Sequence, residues 1–220
     1  MRMRKWLGGA LVAVAALIGP STASAGGALV IAPGYPENWG ALDGREVMML
    51  PTYCKYTQLY RDAVHPPNLE AQIRHWRAVM GPIFHAMHHY CHGLLKTNRA
   101  LLLAGNEQTK RFYLDSAITE YDYVLTRAPE NFILLPEILT KKGEDQLRLN
   151  REAQAVETLE QAMKLKPDYW PPYTALADYY KAHGKPAEAR KILEKALEHS
   201  PDAQAVKRRL AELGTKRAGD

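Results

Sequence analysis

The chain has 220 residues, which is enough for one domain of ordinary size or for a short repeat array with an N-terminal extension. Its formal net charge is +5 at pH 7, and three of the positive side chains, Arg2, Arg4 and Lys5, lie at the very start. Without these three the charge is +2, which gives no electrostatic reason to expect nucleic acid or an anionic membrane as a partner.

Residues 1–25 have the three parts of a secretory signal peptide. The basic start is followed by an apolar stretch over 6–18, by the helix breaker Pro20, and by the small residues Ala23-Ser24-Ala25. We expect cleavage after Ala25 and export of a soluble chain into the periplasm of a bacterium. The alternative is an uncleaved membrane anchor, for which the apolar stretch is short. Because no later segment is apolar enough to cross a bilayer, we expect no membrane insertion after cleavage.

Residues 26–81 are predicted to form a helical and irregular N-terminal extension. Residues 26–43 are rich in Gly and Pro and are expected to be extended, and Glu46–Leu50 forms either a short strand or a turn of helix. A helical segment over Tyr53–Val64 is expected to end at His65-Pro66-Pro67, because proline cannot continue a helix and also restricts the residue before it.

The extension is predicted to end with a helix over Leu69–Val79, which Asn68 caps at its N-terminus. The apolar side of this helix is expected to carry Ile73, Trp76, Val79 and Met80. Gly81-Pro82 then opens the next helix, since proline is tolerated in the first turn.

That next helix contains four histidines at positions i, i+3, i+4 and i+7, which are His85, His88, His89 and His92. They span an arc of about 100° on one side of the helix. Neutral imidazoles at this spacing can bind zinc or copper, so a metal-binding or metal-handling protein is one candidate function. The alternative, which we favour, is that the four rings pack against the extension and form hydrogen bonds with backbone or tyrosine groups.

The chain has two cysteines, Cys54 and Cys91. In the oxidising compartment that export implies, an even number of cysteines suggests a disulfide, here between the extension and the first long helix. Two buried thiols, or thiols that help to bind a metal, are the alternatives.

Further along the chain one sequence pattern recurs. The pattern Ala-x-x-x-Leu-x-x-Ala-x-x-x-x-Pro occurs at 155–167 and at 189–201, and a weaker copy occurs at 117–129. The last two copies are 34 residues apart and the first two are 38 apart, which indicates an insertion of about one helical turn. Steps of this size are typical of stacked helical hairpins. Residues 82–214 are therefore predicted to form an all-α array, a short right-handed solenoid of about three hairpins with a C-terminal capping helix, and 215–220 form a tail.

Gly and Pro signals divide this array into helices. Gly105-Asn106 is predicted to be the turn of the first hairpin; in an alternative register, Leu101 and Gly105 fill repeat positions and there is no insertion. The predicted helices run over 82–104, 109–127, 132–149, 151–165, 170–183, 186–199 and 202–213.

The last hairpin resembles a tetratricopeptide repeat. The residues that carry the resemblance are Trp170, Pro171, Pro172, Tyr173, Leu176, Ala177, Tyr180, Gly184, Ala189, Leu193, Ala196 and Pro201. The hairpin before it is similar, and the first hairpin matches only in its second half. Within this family, the elements Leu50-Pro51-Thr52-Tyr53-Cys54 and His88-His89-Tyr90-Cys91 are similar to those of exported bacterial repeat proteins.

The resemblance implies a scaffold that binds a protein or peptide of the cell envelope in a groove formed by the first helices of the hairpins. On the family's pattern the groove positions are Glu137, Thr140, Glu144, Thr174, Asp178 and Lys181. The alternative is that these are simply exposed helix positions. A further candidate function is a structural subunit of an envelope or polysaccharide-export complex, which would use the convex side. The oligomeric state stays open.

Catalytic motifs do not occur in the sequence. There is no Gly-x-Ser-x-Gly motif and no glycine-rich phosphate loop, and the carboxylates are scattered along predicted helix surfaces. We therefore predict a protein that is not an enzyme and that needs no cofactor, apart from the metal considered above.

Overall fold

A computed structural model describes residues 44–58, 60–102 and 104–215 of the chain. The predicted signal peptide, the extended stretch over 26–43 and residues 216–220 lie outside the described residues. Within the described ranges the regular elements are helices and no strand occurs, so the prediction of an all-α solenoid is confirmed. None of the helices in this part of the chain has both the length and the apolar character needed to span a bilayer.

The described part contains ten α-helices and two 3₁₀ segments, Thr52–Tyr56 and Gly81–Ala86. The α-helices are α1 Gly44–Met48, α2 Tyr60–Val64, α3 Leu69–Met80, α4 Met87–Leu102, α5 Glu107–Leu125, α6 Leu135–Arg148, α7 Glu152–Leu165, α8 Pro171–Ala182, α9 Pro186–His199 and α10 Gln204–Thr215.

Helices α4 to α9 form three consecutive hairpins, and α10 packs on the last one against α9 and α8. The first helices of the hairpins, α4, α6 and α8, contact one another in series. Helices α6, α8 and α9 have proline in their first turn, where the missing N–H leaves no intrahelical bond unmade. Helix α5 is instead capped by Asn106, whose side chain accepts a 2.8 Å hydrogen bond from the N–H of Thr109.

Each hairpin is held together where its two helices approach closely. A Cβ atom built on Gly143 would lie 2.6 Å from Cγ of Leu159, and one on Gly93 would lie 2.2 Å from Cε1 of Tyr121. Glycine is required at both positions because the facing helix occupies the space of a side chain. In the third hairpin Ala177 takes this position, 34 residues after Gly143, and is buried. Four alanines of the repeated pattern are fully buried as well: Ala155, Ala162, Ala189 and Ala196.

The first hairpin is longer than the other two. The contacting pair Gly93 and Tyr121 is 28 residues apart, whereas Gly143 and Leu159 are 16 apart. The additional residues lengthen α4 and α5 on both sides of the turn at Gly105-Asn106, and they bury a small apolar cluster of Ala100, Tyr113, Leu114, Ile118 and Leu149. Because a Cβ on Gly105 would meet nothing within 4 Å, Gly105 is a turn residue, and the alternative register without an insertion is wrong.

The N-terminal extension departs from its sequence prediction in several places. The segment expected to be one helix over Tyr53–Val64 is divided into a 3₁₀ segment and α2. Asn68 occupies the N-cap position of α3, but its backbone is left-handed (φ 55°) and its side chain makes no cap hydrogen bond. Val79 was expected on the apolar side of α3, but it is 44% exposed. Val79 is exposed because α3 packs against the two 3₁₀ segments, which cover only its Ile73 and Met80 side.

A disulfide joins Cys54 in the first 3₁₀ segment to Cys91 in α4, with Cα atoms 5.7 Å apart. Both cysteines are fully buried within one apolar cluster that extends from the extension to the start of α6. In the chain-entropy model, closing a loop of this length contributes roughly 3–4 kcal/mol. The disulfide therefore fixes the extension on the first hairpin.

We predict that Gly143→Ala destabilises the protein by about 1–3 kcal/mol, because the methyl group overpacks the contact with Leu159. The matched control is Gly214→Ala in α10, where a Cβ meets nothing within 4 Å, so that substitution should be neutral or slightly stabilising. Urea unfolding followed by circular dichroism measures both variants. Equal stability of the two variants would contradict the close packing.

Candidate functional site

Four of the six predicted groove residues are accessible and two are not. Thr140 on α6 and Thr174 on α8 are only 1% and 4% exposed. Their hydroxyl groups donate to the backbone carbonyls of Pro136 (2.6 Å) and Pro171 (2.9 Å) in their own helices. These two threonines are therefore not available to a partner, and the carbonyls of the preceding turn satisfy their hydroxyl groups.

Glu144 and Asp178 line the same depression between α6 and α8, and we call it the α6–α8 surface. Its volume is ≈350 Å³. The other side chains that shape it include Leu147, Arg148, Ala175, Tyr179 and His183. The first helices of two successive hairpins thus form an open surface that carries charged, aromatic and apolar groups.

Ion pairs order the charged groups of this region. Glu144 lies 3.1 Å from Nζ of Lys141 and 3.7 Å from Arg148, both on its own helix. Asp178 accepts a hydrogen bond from Nε of Arg209 at 2.9 Å, and Nζ of Lys181 lies 3.0 Å from Glu212. Two ion pairs therefore join α8 to α10. Exposed pairs of this kind contribute little to stability and can exchange partners at low cost.

Glu137, at the start of α6, lies among tyrosines. It accepts a 2.7 Å hydrogen bond from the hydroxyl of Tyr90, which is fully buried. Burial raises the pKa of Tyr53 and of Tyr169, and the negative charge of Glu137 raises both further, for Tyr169 to about 12. The extension and the first two hairpins therefore meet around this carboxylate.

A buried carboxylate, Asp145, lies beneath the α6–α8 surface and is inaccessible to solvent. It accepts hydrogen bonds from the hydroxyl of Thr97 on α4 and from Arg148 at 2.9 Å, and Thr97 is also hydrogen-bonded to Tyr121 at 2.9 Å. Burial raises the pKa of Asp145 to about 6, although these donors oppose the shift. The network joins the first two hairpins through polar contacts.

The sequence contains one signal for the burial of Asp145, which is its spacing from a buried residue of the same helix. Asp145 follows Ile138 by seven residues and therefore lies on the same, buried face of α6. A carboxylate at a core position of an amphipathic helix must be hydrogen-bonded, and its partner Thr97 lies 48 residues earlier in the chain. The pairing of Asp145 with Thr97 cannot be read from the sequence, because the two residues meet only in the folded chain.

Two further buried ion pairs fix α4 to its neighbours. Arg99 binds Glu46 of α1 through two parallel hydrogen bonds of 2.7 and 2.6 Å. Glu120 of α5 accepts from Lys96 at 2.5 Å and from His89 at 2.6 Å. Burial alone would raise the pKa of Glu120, but these hydrogen bonds lower it below its ordinary value.

The four histidines do not converge on a metal site. Among the described residues, no three His, Cys, Asp or Glu side chains are placed to hold a metal ion. His88 is hydrogen-bonded to the carbonyl of His85, His89 to Glu120, and the ring of His92 lies edge-on against Tyr60. Burial lowers the pKa of His88 and, to about 4, that of His92. The zinc or copper hypothesis is therefore not supported, because most of these rings already contact other groups.

A comparison with protein families agrees with this architecture at the C-terminal end. The tetratricopeptide repeat family model matches residues 146–213. Among solved structures, the chain is similar to the first tetratricopeptide repeat domain of Spaghetti (RPAP3), bound to the HSP90 peptide SRMEEVD, with 24% sequence identity and a TM-score of 0.39. That match covers 58% of this chain and 94% of the other. No curated protein matches the chain.

We predict that Asp145 makes stability fall as the pH rises. The pKa of its carboxyl is about 6 in the folded protein and 3.8 in the unfolded chain. Ionisation between these two pH values therefore favours the unfolded chain. In urea titrations, the free energy of unfolding of Asp145→Asn minus that of wild type should therefore rise by about 2–3 kcal/mol from pH 4 to pH 7.

The exposed Asp168→Asn substitution is the control and should show no such change. A difference between Asp145→Asn and wild type that does not vary with pH would contradict the burial of this carboxylate in the folded protein.

Proposed function

We propose that this chain, whose residues 146–213 match the tetratricopeptide repeat family, is an exported scaffold that holds a protein or peptide of the bacterial cell envelope on its α6–α8 surface. Stacked helical repeats expose extended surfaces along their first helices, and such surfaces bind partner chains. The role proposed here is interaction without catalysis, since tetratricopeptide repeat proteins are generally non-enzymatic scaffolds.

The observation that carries the proposal is the ≈350 Å³ depression between α6 and α8. Its floor is apolar at Leu147 and Ala175, and its rim carries Tyr179, His183 and two carboxylates. Protein interfaces combine an apolar centre with a polar rim and favour aromatic side chains. An extended segment or a helix of a partner would therefore find both packing and hydrogen-bonding groups here.

The polar groups of this surface support binding better than catalysis. Glu144 is held by Lys141 and Arg148, and Asp178 is held by Arg209. A nucleophile would need an adjacent base oriented towards it, and these carboxylates face cations instead.

Export to the periplasm is part of the proposal, and two features support it. Residues 1–25 carry the basic, apolar and small-residue segments of a signal peptide. The disulfide between Cys54 and Cys91 is buried in the core, and structural disulfides are characteristic of oxidising compartments.

We predict that a photo-crosslinking amino acid at position 178 or 144 captures an envelope protein, because both positions border the depression. The matched controls are Glu157 and Glu160, two exposed glutamates on α7, the second helix of its hairpin. Mass spectrometry of the adducts identifies the partner. Capture at 157 and 160 together with none at 144 and 178 would contradict the groove proposal and favour a partner on the convex side.

We predict that the protein recovered from the periplasmic fraction begins at Gly26 and has no free thiol. Replacing both Ala23 and Ala25 with leucine should block cleavage, because signal peptidase requires small residues at these positions. Ala28→Leu, three residues beyond the site, is the control and should be processed normally. N-terminal sequencing and thiol counting under denaturing conditions measure the outcome, and a full-length cytoplasmic protein with two free thiols would contradict export.

A further inference from the structure

A small cleft in the N-terminal extension has a positively charged lining. It lies between the end of the first 3₁₀ segment with the residues that follow it, α2, α3 and the second 3₁₀ segment, and its volume is ≈100 Å³. Its polar lining includes Gln58, Arg61, Arg77 and His85, and Ile73 and Phe84 form its buried apolar wall. We call it the Arg61–Arg77 cleft. It is outside the repeat hairpins and separate from the α6–α8 surface.

The charges of this cleft are not balanced from within. Among the described residues that line it there is no carboxylate. Arg61 approaches Asp62 at 3.6 Å, but that pair is exposed, so it provides only weak compensation. Within the described ranges, the guanidinium of Arg77 forms no ion pair. Two guanidinium groups directed at one small volume repel each other unless an anion lies between them.

The size and the donors of the cleft indicate the kind of anion. A volume of ≈100 Å³ is about that of three water molecules in the liquid, which suits a single phosphate or carboxylate group and not a nucleotide. Guanidinium groups present several N–H donors in a planar fork that matches the oxygens of such groups. The amide of Gln58 adds a neutral donor, and the hydroxyl of Thr57 is already used, since it donates to the carbonyl of Cys54 at 2.7 Å.

Part of the wall of the cleft is held in place by a disulfide and by a backbone hydrogen bond. The first 3₁₀ segment is fixed by the disulfide from Cys54 to Cys91. Helix α3 ends at Gly81, whose N–H bonds to the carbonyl of Arg77 and whose left-handed φ of 72° turns the chain into the segment that carries His85. These bonds fix the backbone that carries Arg77 and His85.

We infer that the Arg61–Arg77 cleft binds a small oxyanion, either free in solution or as the terminal group of a larger molecule, with Arg77 and Arg61 as the principal ligands and Gln58 and His85 at the rim. The inference does not depend on the α6–α8 surface, because none of these residues lies on α6 or α8.

Isothermal titration of the purified protein with inorganic phosphate, in a buffer without other oxyanions, tests this inference. Wild type should bind one phosphate, and Arg77→Ala should bind it at least about tenfold more weakly, because hydrogen bonds to charged groups are lost. The control is Arg74→Ala, an exposed arginine one turn earlier on α3 that does not line the cleft, and it should bind like wild type.

Two further titrations distinguish the sources of the anion. Glycerol phosphate that binds as tightly as inorganic phosphate indicates the terminal group of a larger molecule, and binding of inorganic phosphate alone indicates a free ion; acetate shows whether a carboxylate suffices. Circular dichroism checks that Arg77→Ala is folded, as expected for an exposed side chain. Failure of all three ligands to bind wild type, or an equal loss of binding in Arg74→Ala, would overturn the inference.

Discussion

The close approach of the two helices within each hairpin is the constraint on which the rest of the structure depends. At Gly143 the backbone of α6 lies so near Leu159 that a methyl group has no space, and Gly93 stands in the same relation to Tyr121. This approach lets alanines such as Ala155 and Ala189 be fully buried. The hairpins stack so that α6 and α8 are in contact and line one depression. The proposed binding role is therefore a consequence of how small residues are spaced along the chain.

Polar contacts add specificity where the repeats are least regular. The first hairpin is longer than the others, and the extension packs on it through the disulfide and the buried pair of Glu46 and Arg99. Asp145 and Thr97 join the first hairpin to the second. A buried carboxylate is costly unless its donors are well placed, so this network favours one relative arrangement of the hairpins. The repeat core is thus apolar, and its junction with the irregular N-terminal part combines an apolar cluster with a buried ion pair.

The sequence predicted the helices of the array well, because a period of 34 residues and the Gly and Pro signals are local. It predicted the extension less well, where tertiary contacts decide the outcome: Asn68 does not cap α3 through its side chain, and Val79 faces solvent. Among the site residues, Glu144 and Asp178 border one depression, whereas Thr140 and Thr174 are buried. Side-chain hydrogen bonds to the preceding turn, which periodicity does not reveal, draw these two hydroxyls inward.

A double-mutant cycle between Gly143 and Leu159 is the most direct test of the close-packing constraint. Leu159→Ala alone removes packing, but in combination with Gly143→Ala it makes room for the added methyl group. The double variant should therefore be more stable than the sum of the two single effects predicts, by about 0.5–3 kcal/mol. Additive effects, within about 0.5 kcal/mol, would mean that the two side chains do not share this space and would contradict the packing from which the binding surface is derived.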